Sequence, residues 1–374
     1  MCKYRRIGFM CKLFFFVFGV IIYTQFIQAQ IQAPAVPFLM IAPDSRSGGM
    51  GEAGVALADN AWAGYWNPAG YAFQQGSGIA ASYAQWMPSL GLSDIWIGHL
   101  AYKQPVEDLG GVVSAMVTYL ELGEFVQTLD NPDVISTFKG HEMAYTLGYA
   151  TKLNQDLGIG VNARFFYSTL APFGTAREVR NTTVSGVSFD IGLLYKPEKV
   201  RIPFTRIDLG NNLRLGMDIS NIGSNIFYID KAQADPLPMN LRLGFAYDLI
   251  QSRYNTLTWI TDVNRLMIKR DTNGTPDEFY KAFYTTWTGS TFNEQIREFT
   301  MSTGLEYWYG SPKLIALRAG YFYEDPRYVN EKYMTLGAGL RYDVCEFDFS
   351  YIDAPSTDNG PLAEKFRFSL SVEW

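Results

Sequence analysis

The chain predicts an all-β protein, a transmembrane antiparallel β-barrel of about 14 strands with an N-terminal Gly-rich plug segment. Three observations carry that expectation. Beyond Gly76 apolar and polar residues alternate with period two, segment after segment, as in strands that present one apolar face. Aromatics reach 16% of the 374 residues, while the mean hydropathy is only −0.05. Lipid-facing and lumen-facing residues cancel in such an average when the membrane is crossed by strands. The segments are also near ten residues long and even in number, as in bacterial outer-membrane barrels.

Taken in order, residues 1–29 read as a signal peptide. Lys3, Arg5, Arg6 and Lys12 carry positive charge with no acid, an apolar run covers Leu13 to Tyr23, and Ala29 precedes the expected cut. The apolar run is about half the ~20 residues that a spanning helix needs. Cleavage would remove four of 31 basic residues and no acid, leaving 27 against 37 and a net charge of −10. That balance disfavours nucleic acid as a partner. Two of the three cysteines, Cys2 and Cys11, lie in the leader, so Cys345 alone remains for the mature chain. One thiol makes neither an internal disulfide nor a cysteine-rich metal site.

Residues 30–77 predict an N-terminal periplasmic or plug segment, organised around 42–70. Gly48, Gly49, Gly51 and Gly54 crowd into seven positions, and Asn67-Pro68-Ala69-Gly70 makes a turn. Gly49-x-Gly51-x-x-Gly54 has the spacing of a dinucleotide-binding loop, but that loop needs a strand before it, a helix after it and a βαβ setting. No strand–helix alternation follows, so tight turns and close packing are the better reading, and no cofactor is expected. Arg46, Gly48, Gly49, Met50, Gly51, Gly54, Asn67 and Pro68 are the expected structural residues of this plug. Arg46 is expected to pair with a lumen carboxylate such as Asp218 or Asp248, because a buried charge needs a partner.

The barrel is expected over 78–374. Its strands fall near 78–87, 93–103, 110–121, 139–152, 157–170, 183–196, 211–222, 239–249, 256–268, 297–309, 313–324, 333–343, 345–353 and 364–374. In the last, Phe366, Phe368, Leu370, Val372 and Trp374 oppose Arg367, Ser369, Ser371 and Glu373. In 240–249, Leu241, Leu243, Phe245, Tyr247 and Leu249 oppose Asn240, Arg242, Gly244, Ala246 and Asp248; 159–167 and 333–342 read likewise. Arg164, Arg214, Arg242, Arg318, Arg341 and Arg367 share the polar parity of their strands, as do Asp190, Asp218, Asp248, Asp262 and Asp348. A bare Arg on the lipid face at mid-membrane costs roughly 2–4 kcal/mol, so the polar face is the lumen. Its mixed signs predict internal ion pairs. Connections alternate between mostly short (104–109, 153–156, 250–255, 310–312, 344, with 197–210 longer) and long (123–138, 171–182, 223–238, 269–296, 354–363). Short turns are periplasmic in such barrels, which predicts that both termini are periplasmic.

Catalytic machinery is poorly represented. There is no Gly-x-Ser-x-Gly elbow, no His-Glu-x-x-His, and only His99 and His141. Asp271-x-Asn273-Gly274 with Asp277 and Glu278 lacks the glycine and glutamate spacing of an EF-hand and reads as a solvated acidic loop. No enzyme, no metal and no cofactor is expected.

Ala42-Pro43-Asp44-x-Arg46-Ser47-Gly48-Gly49-Met50-Gly51-x-Ala53-Gly54-Val55 resembles the N-terminal signature of the FadL-type outer-membrane barrels, and more narrowly their PorV branch in the type IX secretion system. The Asn67-Pro68-Ala69-Gly70 turn is similar to the generic FadL-like form. The resemblance implies a non-enzymatic barrel that works with a SprA/Sov-type translocon barrel. It implies collection of secreted cargo by its C-terminal signal domain and delivery to a PorU-type attachment complex, amid outer-membrane lipid and lipopolysaccharide. By analogy, binding would use the extracellular loops. Phe125, Val126, Val134 and Ile135 in one loop, and Ile226, Phe227 and Tyr228 in another, are the expected exposed apolar anchors. The alternative is a FadL-type transporter of hydrophobic small molecules, which predicts an apolar pocket lined by Leu57, Trp62, Tyr65 and Trp66. The inward Arg and Asp rows argue against so greasy a conduit.

Overall fold

The computed structural model describes residues 34–86, 94–128, 134–171, 182–201, 208–227, 234–271, 273–326, 331–353 and 365–374. The expected signal peptide and Tyr228 lie outside the described residues. Fourteen strands form one closed antiparallel barrel: β1 (Gly78–Gln85), β2 (Ile95–Val106), β3 (Gly111–Thr128), β4 (Val134–Lys152), β5 (Leu157–Ala171), β6 (Thr182–Tyr195), β7 (Leu213–Ile222), β8 (Asn240–Gln251), β9 (Asn255–Leu266), β10 (Phe299–Tyr309), β11 (Ile315–Tyr323), β12 (Lys332–Tyr342), β13 (Cys345–Asp353) and β14 (Lys365–Glu373). Each pairs with its sequence neighbours, and β1 closes on β14 from Gly78↔Glu373 to Ala84↔Arg367. Beyond that ladder, Ser77 and Trp374 exchange backbone bonds at 2.8 and 2.9 Å. Closure satisfies the backbone of every strand, the condition for a sheet to sit in lipid.

Alternation sorts the two faces. On β12 the side chains of Met334, Leu336 and Leu340 stand exposed while Thr335 between them is buried. The same parity on β1–β5 builds an outward aromatic rail near the long-connection rim. Tyr83, Trp96, Tyr119, His141 and Tyr167 follow one another with ring centroids 5.3–6.1 Å apart. His141 thus belongs to an interfacial girdle. His99 points the other way, buried beside the Ser82 hydroxyl (3.2 Å) and the edge of Trp62.

Two long connections depart from the sequence expectation. Residues 123–138 are mostly strand, since β3 runs 18 residues and β4 19. At about 3.3 Å per residue that length exceeds the ~30 Å hydrocarbon core, so the two form an arm standing beyond the wall. A bulge between Glu121 and Glu124 marks where the arm leaves, with Gly123 at positive φ and Asp94 accepting from the Glu124 N–H (2.9 Å). Phe125 and Val126 are exposed on β3, Phe125 stacks on Phe138 at 5.5 Å, and Val134 opens β4 exposed. Ile135 follows within β4.

The described parts of the next long connection, 223–227 and 234–239, fold inward instead. Ile226 bridges to Asp235 and packs with Leu237, Phe38, Phe166 and Val184. It is only 8% exposed, so it is not the surface anchor expected of it. Apolar neighbours inside the barrel offer Ile226 more burial than a partner at the surface would. Phe227, next in sequence, is exposed.

Candidate functional site

The candidate site is the seam where residues 37–74 meet the inner wall of the barrel. This segment is a chain of short turns, each with a local cause. Asp44 caps the helical turn Ser45–Gly48 by accepting from the Ser47 N–H at 2.9 Å. Asn67 opens the turn Pro68–Phe73 by accepting from Ala69, with proline at the first position, where its missing N–H costs nothing. Between them lies the turn Ala63–Trp66.

The wall receives this backbone on a belt of glycines. A Cβ placed on Gly320 would fall 2.1 Å from the Gly51 nitrogen, on Gly304 2.6 Å from Met50, and on Gly337 3.0 Å from the Gly49 Cα. Gly216 and Gly244 lie equally close under Val55 and Ala56, Gly192 under Asn67, and Gly160 under Pro68. Several are register neighbours: Gly160 faces Gly192, Gly216 faces Gly244, and Gly304 faces Gly320. Where β9 interrupts the belt, Asp262 accepts from the Gly54 and Val55 N–H groups at 2.6 and 2.9 Å. A glycine inside a strand costs roughly 0.5–1 kcal/mol relative to alanine; it is kept where another backbone must come close.

The segment answers with its own small residues. Gly51 has φ +72° and a Cβ there would lie 2.6 Å from the Tyr321 carbonyl oxygen. Gly49 lies against Gly337, Gly48 against Ser350 and Arg367, and Gly54 against the Trp66 ring. Met50 is buried over Gly304. The Asn67 side-chain amide donates to Leu193 and Val55 carbonyls at 2.9 and 3.2 Å, and Pro68 lies on Gly160. The belt on the wall escaped the sequence reading. Its signal was present, since Gly244 and Gly337 fall on the polar parity of otherwise regular strands.

Charge fixes the position. Arg46 grips Glu306 with Nε and Nη2 at 2.7 Å each, and its Nη1 reaches Asp59. Arg318 shares Glu306 (2.8 Å) and also holds Asp348 (2.6 Å). The partner expected for Arg46, Asp218 or Asp248, is therefore replaced by Glu306. The Ser45–Gly48 turn packs on β12–β14, which aims Arg46 at β10. Asp248 is taken by Arg214 and Thr258 on the β7–β9 side. Other inward pairs are Arg164–Asp190 (2.6 Å) and Arg367–Glu52 (3.3 Å), while Arg242 lies over the Tyr65 ring at 4.7 Å. The bidentate Arg46–Glu306 pair is the strong kind of ion contact, planar and charge-assisted.

Asp59 is half-exposed to a cavity of about 200 Å³ that it shares with Arg46, Lys196, Arg214 and Lys313. Enclosure by the barrel pushes the Asp59 carboxyl up, but Arg46 beside it prevails and holds it below the ordinary range. A depressed carboxyl contributes stability above its unfolded pKa, near about 4, and loses it as pH falls through the lower folded value. Asp59→Asn is expected to flatten the acid limb of stability below about pH 4, read as the unfolding midpoint against pH in detergent. An unchanged acid limb would count against the pairing.

The four residues expected to line an apolar pocket do not share one. Leu57 lies on the polar cavity, whereas Trp62, Tyr65 and Trp66 are buried in one cluster. Trp66 donates its ring N–H to Asp44 (2.7 Å), and the Tyr65 hydroxyl bonds the Met40 carbonyl (2.5 Å). Among the described residues no cluster of His, Cys, Asp and Glu is arranged to hold a metal. Asp271 is committed to its own turn, accepting from Asn273 and Thr275.

Comparison with known proteins places this architecture. Among solved structures, the Pseudomonas putida toluene transporter TodX is similar at TM-score 0.51 and 11% identity, over 89% of this chain and 98% of that one. A TodX deltaS2S3 mutant described as a monoaromatic hydrocarbon channel gives 0.53 and 13%, over 88% and 98%. At that identity the likeness is one of fold. No curated protein sequence matches. The family model for "Type IX secretion system protein PorV" matches residues 25–273. That span takes in the whole glycine-rich segment and the strands from β1 to β9. An outer-membrane β-barrel of FadL-like form, with its N-terminal chain seated on a glycine belt, the chain belongs to the PorV family of the type IX secretion system.

Proposed function

We propose that this barrel is a non-enzymatic carrier of the type IX secretion system, working from its surface and not through its lumen. It binds secreted cargo by a C-terminal signal domain at a SprA/Sov-type translocon barrel and delivers it to a PorU-type attachment complex. Residues 37–74 serve as the plug, and both termini lie in the periplasm, as the short connections β2–β3, β4–β5, β8–β9 and β12–β13 suggest. The observation that carries this reading, beside family membership, is the seating of the segment on the glycine belt. It packs its backbone and ion pairs against the inner wall, and the cavity beside Arg46 and Asp59 is lined mainly by polar and charged side chains.

Binding then falls to the rim. The β3–β4 arm presents Phe125, Val126 and Val134 to solvent, and large exposed apolar side chains are the usual anchors of an interface. Phe125→Asp together with Val126→Asp is expected to lower co-purified cargo at least about tenfold, equivalent to ~1.4 kcal/mol, with barrel stability unchanged. Equal recovery from the variant would remove the arm from the binding site.

The decisive experiment is affinity purification of the tagged chain from detergent-solubilised outer membranes, followed by mass spectrometry. Recovery of a very large barrel, or of exported proteins sharing a C-terminal domain, supports the carrier. The second reading, transport of hydrophobic small molecules, is favoured by the fold likeness to TodX. A barrel recovered alone with aromatic or fatty compounds in the extract would favour it.

A further inference from the structure

One arginine breaks the sorting of charges. Arg265 on β9 has the outward parity of Val263 and Trp259 and lies in a cross-strand row with lipid-side residues: Ile219 faces Leu241, Leu241 faces Arg265, and Arg265 faces Phe299. Two residues along from this row, Leu243 and Met301 are openly lipid-facing. Yet Arg265 is fully buried. Its Nη2 donates to the Thr286 carbonyl (2.6 Å) and pairs with Glu298, and its guanidinium lies 4.1 Å from the Trp287 ring and 5.3 Å from Phe299. What covers it is the β9–β10 connection, folded down over the outside of the barrel.

The first helix of that connection, Phe279–Thr285, confirms the direction. Phe279, Ala282 and Phe283 pack with Met239 and Met267 and onto Ile219 and Leu241, two outward residues of β7 and β8. That uses one face of the helix. Tyr280 and Tyr284, one turn apart, point away from the wall and are exposed. The second helix, Phe292–Arg297, is capped by the Thr291–Glu294 box and buries none of its residues, with Phe292 (75% exposed) and Ile296 standing free.

We propose that residues 279–297 form a collar that seats in the outer-leaflet interface beside β7–β10, with Tyr280, Tyr284, Phe292 and Ile296 in contact with lipid. Three facts converge on lipid as the occupant. The collar is continuous with the lipid-facing wall, because its first helix packs on Ile219 and Leu241 and the Thr286–Trp287 turn covers Arg265. It supplies amphipathic rings where the rim needs them: Tyr83, Trp96, Tyr119, His141 and Tyr167 girdle β1–β5, whereas the row on β7–β9 ends in Ile219, Leu241 and Arg265. Tyr and Trp favour this depth because one end is apolar and the other polar. The collar also removes from lipid an arginine whose charge is costly at mid-membrane and cheap only near the interface. The inference does not depend on the secretion reading.

The test is site-directed spin labelling of the purified full chain in vesicles of outer-membrane phospholipid and lipopolysaccharide. Native cysteines are replaced by serine, and Tyr284→Cys and Ile296→Cys are labelled in separate samples. Met301→Cys on the lipid-facing wall and Ser252→Cys in a short, exposed turn bracket the scale. Seating in the interface gives a ratio of oxygen to nickel-chelate collision between the two references at both positions. A ratio equal to that of the turn overturns the proposal. A label shielded from both reagents also overturns it, in favour of a face covered by the protein's own chain. Two positions on separate helices guard against one variant failing to fold.

Discussion

Arg46→Met is expected to destabilise the folded barrel by about 3–5 kcal/mol, the usual cost of removing one partner from a buried ion pair. Both partners are almost wholly buried, and the loss leaves Glu306 to Arg318 alone and strands Asp59 on the cavity wall. The larger part of the cost is the carboxylate left behind, since Arg318 alone offsets its desolvation only in part. Arg46→Lys is expected to fall between parent and Met variant. An ammonium keeps the charge but cannot span both Glu306 oxygens as the guanidinium does. Urea unfolding in detergent micelles, followed by tryptophan fluorescence, reads the difference. A Met variant within about 0.5 kcal/mol of the parent, the range of an ordinary surface change, would mean that the pair does not anchor the segment.

Gly320→Val is expected to expel the segment without preventing the strands from pairing. Valine itself suits a strand, so β11 should form as well as before. The conflict lies across the lumen, where a Cβ would meet backbone atoms of Met50 and Gly51 at 2.1–2.2 Å. No flexible side chain is available to move aside; the segment must shift as a unit. Overpacking in a tight core typically costs about 1–3 kcal/mol and more when backbone must yield. The expected result is a heat-modifiable barrel in which a protease cuts within 42–70, a stretch protected in the parent. A variant equally resistant to cleavage would show that the seat is looser than the distances imply. Gly110→Ala serves as the control for backbone strain away from the segment, a turn glycine at φ +62° whose new Cβ would meet nothing within 4 Å.

The strands were legible because each wall residue has only two environments, lipid or interior, and period two records which. Where that record is disturbed, reading stopped early. The Glu121–Glu124 bulge changes the register, so alternation breaks and the outer half of β3 looked like loop. Arg46 was recognisable as a buried charge in need of a carboxylate, but the choice of Glu306 depends on which arc of the wall the Ser45–Gly48 turn faces. That is a property of the closed barrel, and nothing local to Arg46 encodes it. Ile226 failed for a related reason. An apolar residue in a long connection has the same sequence signature whether it turns out to a partner or in toward Phe38 and Phe166. The wall glycines were visible as polar-parity gaps in good strands, and only the segment lying on them gives those gaps a meaning.

The glycine belt also ties the start of the chain to strands that come much later in it. The Gly51 N–H bonds the Thr335 hydroxyl across 284 positions of sequence, and Gly54 and Val55 reach Asp262 across 208 and 207. Such distant contacts are slow to form, because the chain between them must first be gathered. Yet the segment precedes β1, and the wall from β5 to β12 arrives after it. Its wall contacts therefore depend on strands that follow it in the chain, and the β1–β14 seam lies beside its exit at Ser77. In that arrangement the segment is a latch: it takes its final seat only once the strands it touches stand in place.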